Sequence, residues 1–254
     1  MKGARTVEVE LDPGWTVGDR PHGGYLLATV SAQGLDEAHP HPLAVSAHYL
    51  APPVPGRAQV EVERTRTGRR VASSRLRLVQ DGAPLLDVLL TSGRHDAAAA
   101  PYWADGGPLA LPDVGQCART PPRRQDGVPV GFLEHVDLRM DPATVGYADT
   151  HRTDTAVNRA WLRRADGTGP SPVDLLLFAD ALPPVTFGLG LGGWVPTVEL
   201  TVLVRGLPAP GWCRAEQRAR LLQDGWVDQE CEVWDSAGRL VAQARQLAGY
   251  RLPG

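Results

Sequence analysis

The feature that most constrains this chain is an internal duplication. Pro42 to Gly93 and Pro196 to Gly249 follow one plan. Each opens with a Pro-led alternating strand and makes a Pro/Gly turn, at Pro52 to Gly56 and at Leu207 to Gly211. Each then continues through two more strands, a tight turn containing Gly (Asp81-Gly82; Asp235 to Gly238) and a last strand. The copies start roughly 155 residues apart, a spacing that means duplicated domains and not a solenoid of short units. The strands carry a period of two. Val60 and Val62 alternate with Gln59, Glu61 and Glu63, and Leu76 and Leu78 alternate with Arg75 and Arg77. That pattern predicts half-buried antiparallel strands with one face on a core. Asp81-Gly82 and Asp224-Gly225 are hairpin signals, because both central positions of the favoured two-residue turn need φ > 0.

A helical stretch precedes each copy. Gly24 to Leu35 is nearly all apolar in its first two turns, which predicts a helix wrapped on most sides. Ser171 to Leu182 has a Ser cap and Pro at its first position, and Pro183-Pro184 ends it. A strand opens each half, Val7 to Leu11 and Phe132 to Met140, and both run into Asp-Pro. Between the copies, His95 to Val128 is rich in Ala, Pro, Gly and Arg, with poor periodicity, and reads as a long surface linker. The expected organisation is a first domain over 1–94, a linker over 95–128 and a second domain over 129–254. Strand, buried helix and four consecutive antiparallel strands, twice over, is an α+β pattern.

Composition narrows the function. A formal net charge of −3 leaves no large basic surface for nucleic acid. No run of about 18 apolar residues offers a membrane span, and Met1 to Glu10 lacks the apolar segment of a secretory signal. Cys117, Cys213 and Cys231 form no CxxC and read as free thiols in a reducing cytoplasm. His39, His41 and His48 share no metal-ligand spacing, so neither metal nor cofactor is expected. Gly188 to Gly193 leads into a strand and fails the dinucleotide context; it reads as an edge of a ligand site. Arg64, Arg66, Arg69 and Arg70 cluster at a hairpin turn, where a solvated strand end explains them better than phosphate binding.

Four motifs carry a family resemblance over nearly the whole chain. They are Arg20-Pro-His-Gly-Gly-Tyr, Ala179-Asp180-Ala181, Trp194-Val-Pro-Thr-Val-Glu-Leu-Thr and Leu240-Val-Ala-Gln-Ala-Arg-Gln. With the duplication, the chain resembles the double hot-dog acyl-CoA thioesterases of the thioesterase II type. The resemblance implies a tandem hot-dog, each half a curved antiparallel sheet wrapped around a central helix. It implies hydrolysis of an acyl-CoA thioester, and a catalytic set at Asp180, Thr197 and Gln246. Thioester hydrolysis needs an aligned water, a destination for its proton and a stabilised oxyanion. Asp180 would take the proton, and the Thr197 hydroxyl and Gln246 amide would fix the water. Taken alone, Asp180 is a charge amid Phe178, Ala179, Ala181 and Leu182, costly unless paired or functional. Thr197 and Gln246 alone would be ordinary strand residues, although Ala242, Ala244 and Ala248 leave room for a ligand along the face of the last strand. Gly23 and Gly24 expose amides at a helix N-terminus and are expected to form an oxyanion hole facing Asp180, or else to permit close helix–sheet packing. His22 reads as structural, not as a base. Two other readings stay open. One is a non-catalytic protein that binds acyl-CoA or an acyl carrier; the other, ranked lower, is a hot-dog hydratase or dehydratase. Exposed antiparallel edges leave room for a symmetric homo-oligomer of the fused chain.

Overall fold

A computed structural model describes residues 4–124, 126–145 and 152–251. The first half contains β1 (Arg5–Leu11), the short ribbon β2 (Thr16–Val17) and β3 (Arg20–Pro21), helix α1 (Gly23–Ala32), then β4 (His41–Tyr49), β5 (Gly56–Thr67), β6 (Val71–Gln80) and β7 (Ala83–Gly93). The second contains β8 (Val136–Met140), β9 (Val157–Arg164), helix α2 (Asp174–Phe178), β10 (Thr197–Val204), β11 (Cys213–Arg218), β12 (Leu222–Gln223), β13 (Trp226–Trp234) and β14 (Leu240–Gly249).

All but β2 and β3 join one sheet in the order β1-β5-β6-β7-β4-β10-β14-β13-β11-β9-β8, with β12 beside β13. Its described pairings are antiparallel, and the halves meet where β4 pairs with β10. At that seam the buried residues Val45 and Ala47 sit opposite Val202 and Leu200, so the core runs without a break from one half into the other. Both helices pack on this sheet and against each other, α1 over β4, β6 and β7 and α2 over β10 and β14. This is the double hot-dog α+β architecture that the residue pattern and the resemblance implied.

The local reasons are those of the sequence. On β5, Ala58, Val60 and Val62 are buried while their neighbours face water. Asp81 and Gly82 have φ of 52° and 78°, and Asp224 and Gly225 have 52° and 79°, the left-handed pairs their hairpins require. On α1, Leu26, Leu27 and Val30 are buried. Helix α2 spans only 5 residues, too short to persist alone, and rests on the burial of Leu175, Leu176, Leu177 and Phe178. Ser171 and Asp174 cap it reciprocally. The Ser171 amide donates to the Asp174 carboxylate at 2.8 Å, and the Asp174 amide donates to Ser171 Oγ at 3.2 Å.

Three elements differ from the sequence reading. The second helix ends at Phe178, and Ala179 and Asp180 lie in a looser final turn in which the Asp180 amide donates to the Leu177 carbonyl. The strand expected from Phe132 begins at Val136, because Gly131–Glu134 forms a 3-10 turn. The place that β1 holds beside β5 is held beside β11 by β9, with β8 outside it, so Phe132 to Met140 is not the counterpart of Val7 to Leu11. The segment joining the halves is tied to the second half. The Trp161 indole donates to the Pro112 carbonyl at 2.8 Å, and the Thr120 amide donates to the Leu138 carbonyl at 2.7 Å. Among the described residues, no helix is long and apolar enough to cross a membrane.

Candidate functional site

The N-terminus of α1 and the end of α2 meet at the seam, and a cavity of about 580 Å³ opens there. Gly23, Asp180, Thr197 and Gln246 all line it, so residues far apart in the chain face one space. The α1–α2 contact explains the glycines. A Cβ on Gly23 would lie 2.7 Å from Asp180 Oδ2, and one on Gly24 would lie 2.9 Å from both Asp180 Cβ and the Leu177 carbonyl. A side chain at Gly24 would have to move the α2 backbone, and one at Gly23 would have to displace the Asp180 carboxylate.

Asp180 is almost enclosed, its side chain 12% exposed. Burial pushes its carboxyl up to about 7, against the pull of the Gly24 amide, which donates to it. His22 sits beside it. Its Nδ1 accepts the Tyr25 amide at 3.3 Å and so caps α1, while its Nε2 lies 3.1 Å from the Asp180 carbonyl oxygen. An accepting Nδ1 puts the proton on Nε2, so the ring donates to that carbonyl in its neutral form. Burial pushes its pKa down to about 4, partly offset by the same bond. His22 therefore belongs to the scaffold: it holds the first turn of α1 and the last turn of α2 together.

Tyr49 closes the other side of this junction. Its hydroxyl donates to the Gly23 carbonyl at 3.0 Å. Burial first, then the nearby carboxylates of Asp180 and Glu199, drive its pKa up, so the hydroxyl stays protonated.

Across the cavity, Gln246 on β14 donates from Nε2 to Thr197 Oγ1 on β10 at 2.6 Å. The two strands change register between Thr197 and Glu199, a bulge at the start of β10 that re-aims the threonine. Beside Gln246 in the ladder, Gln229 on β13 is buried and accepts the Val185 amide at 3.2 Å. This bond fixes the segment between α2 and β10. The cavity is also lined by Arg20, Arg123, Arg124 and the exposed Trp194. The Arg124 guanidinium stacks 5.3 Å from the Phe187 ring, and Arg20 is half-exposed. The four arginines of the β5–β6 hairpin do not line this cavity; Arg64 pairs with Asp36 at 2.7 Å instead.

The sequence reading did not single out Tyr49, Gln229, Arg123 or Arg124. A signal existed for Gln229. It shares the buried phase of β13 with Val227, Cys231 and Val233, where a polar residue needs a reason. Tyr49, at the end of a half-buried alternating strand, and the linker arginines carried none.

Comparisons with known proteins bear on the family and the fold. Residues 11–93 match the model of the acyl-CoA thioesterase N-terminal domain, and residues 114–250 match that of the C-terminal domain. An uncharacterized protein of Mycobacterium tuberculosis (strain ATCC 25618 / H37Rv) is 33% identical over 268 residues, covering 96% of this chain and 90% of that protein. The crystal structure of a candidate thioesterase II from Thermobifida fusca YX superposes with a TM-score of 0.87 at 33% identity, covering 99% of this chain and 94% of the other. A hot-dog protein of unknown function from Alicyclobacillus acidocaldarius shares the fold, with a TM-score of 0.82 at 21% identity over 100% of this chain and 96% of its own. With both domain models matched in order along one duplicated chain, this protein belongs to the acyl-CoA thioesterase family.

Proposed function

We propose that the chain hydrolyses an acyl-CoA thioester to free acid and CoA, with Asp180 as general base. The observation that carries this reading is a carboxyl held near pH 7 at the wall of a cavity it shares with the Thr197–Gln246 pair. A base whose pKa lies near the working pH combines a useful ionised fraction with useful basicity. Gln246 already donates to Thr197 Oγ1, which leaves the threonine hydroxyl hydrogen and Gln246 Oε1 to hold a water. That water adds to the carbonyl carbon as its proton passes to Asp180. The tetrahedral intermediate collapses with cleavage of the C–S bond, and the proton leaves with the CoA thiolate. The Gly23 amide, at the positive end of α1, is the donor proposed for the thioester oxygen. Gly24 has a different part, since its amide donates to Asp180 and it does not line the cavity. The arginines and Trp194 at the wall suit a phosphorylated nucleotide carrier.

The test is thioester cleavage across acetyl- to palmitoyl-CoA, read with a thiol-detecting dye, for the wild type and Asp180→Asn. Turnover that falls at least about a hundredfold in the variant supports the reading. Saturable binding without turnover in the wild type would instead make the chain a non-catalytic acyl-CoA binding protein.

A further inference from the structure

Four amide side chains are buried on the inner face of the second half: Asn158 on β9, Gln217 on β11, Gln229 on β13 and Gln246 on β14. Three are committed. Asn158 Nδ2 donates to the Pro183 carbonyl at 2.7 Å, Gln229 accepts the Val185 amide, and Gln246 donates to Thr197. Gln217 differs. It is 4% exposed, it lines the cavity, and its Oε1 has no hydrogen-bond partner among the described residues. In the sheet its neighbours are Asn158 and Cys231, and Cys213 and Ala215 precede it in the same buried phase of β11. The same cavity is walled by Phe132, Leu133, Leu138 and Met140, and by the already committed amides of Gln229 and Gln246. A second buried oxygen on this wall, Thr120 Oγ1, also lacks a partner among the described residues.

An unpaired buried polar group costs about 1–3 kcal/mol, and such groups are scarce in folded proteins. A saturated acyl chain filling this cavity would leave the Gln217 amide unpaired in every turnover. A hydroxyl would pair the end of the amide that the cavity reaches, accepting from Nε2, or donating to Oε1 when the amide is flipped.

We propose that the cavity is built for an acyl chain bearing a hydroxyl group, and that the Gln217 amide is the specificity-determining residue that reads it. This inference rests on the acyl-CoA reading of the cavity. It follows the general asymmetry of recognition: a site with a buried polar group discriminates strongly against the analogue that lacks the matching group.

The test is equilibrium binding by calorimetry, using the wild-type chain and ketone analogues of acyl-CoA in which a methylene replaces the thioester sulfur. Saturated analogues of about eight to twelve carbons, the size a cavity of this class admits, are compared with matched chains hydroxylated at successive positions. At least one hydroxylated analogue should bind about tenfold or more tightly than its saturated parent. Gln217→Met, unbranched and similar in volume, should abolish that preference while holding the saturated parent at least as tightly. Saturated parents binding equally well or better in the wild type would overturn the proposal, and this comparison does not depend on whether the variant folds. So would a preference that survives in Gln217→Met, since an ordered water would then satisfy the amide. No binding of any analogue would instead defeat the acyl-CoA reading itself, and binding without hydrolysis of true thioesters would defeat only the hydrolase step.

Discussion

At the scale of single residues, Asp180 and His22 form a pair whose titrations oppose each other. The Asp180 carboxyl is raised from 3.8 to about 7, so between those values the native state binds a proton that the unfolded chain has lost. Its contribution to stability therefore falls as pH rises through this window. His22 is lowered from 6.5 to about 4, so there the unfolded chain binds the proton, and its contribution rises with pH. In the wild type the two slopes nearly cancel between pH 4 and 6.5. Asp180→Asn should leave only the histidine slope, with stability climbing from pH 4 to 6.5, and should exceed the wild type above pH 7 by a few kcal/mol, at about 1.4 kcal/mol per pKa unit. His22→Asn, which keeps a side-chain acceptor at the cap, should show the reverse slope. Urea midpoints at half-unit pH steps measure both, and a common profile for the two variants would refute the pairing. The wild-type rate should rise with pH through about 7 as Asp180 ionises. A variant that gains stability while losing activity is the behaviour of a strained functional carboxylate.

At the scale of elements, the sequence signals that held were those with a strict local cause. The two Asp-Gly hairpins adopt their left-handed pairs because few other dipeptides tolerate them. The period of two placed Val60, Val62, Leu76 and Leu78 in the core. The same period, applied to polar residues, marks Gln217, Gln229 and Gln246, each one in phase with buried neighbours. What failed was helix length. The run from Ser171 to Leu182 reads as a longer helix, but the chain must swing Asp180 toward α1, and the last turn loosens to do so. The α1–α2 contact depends on a missing side chain. Gly24→Ala should destabilise the fold by about 1–3 kcal/mol, since its Cβ meets the Leu177 backbone, which cannot step aside as a flexible side chain would. Thermal melts check this. A Tm unchanged within error would show that the helices have slack.

At the scale of the whole molecule, the site exists only because two halves share one sheet. Gly23 and Tyr49 come from the first half, and Asp180, Thr197 and Gln246 from the second, across the β4–β10 seam. Either half alone would expose the β4 or β10 edge and an apolar helix face. Fragments 1–100 and 107–254, which preserve the tie from Pro112 to Trp161, should each be inactive and poorly soluble. Co-expressed, they should associate and recover thioesterase activity. An active second fragment on its own would place the whole chemistry in one half.

The hairpin turns and the phase of the strands were legible in the sequence itself, because each rests on residues a few positions apart, and the duplication and α+β order because two stretches of the chain repeat one such plan. The family motifs likewise named Asp180, Thr197, Gln246 and the two glycines. Only the tertiary structure decided what surrounds them: that Asp180 rests against Gly23, that His22 is a neutral cap, that Tyr49 closes the junction and that Gln217 is left unpaired. The reason is physical. Ionisation and hydrogen-bond satisfaction depend on what the rest of the chain buries against a group, and those partners lie up to 158 residues away.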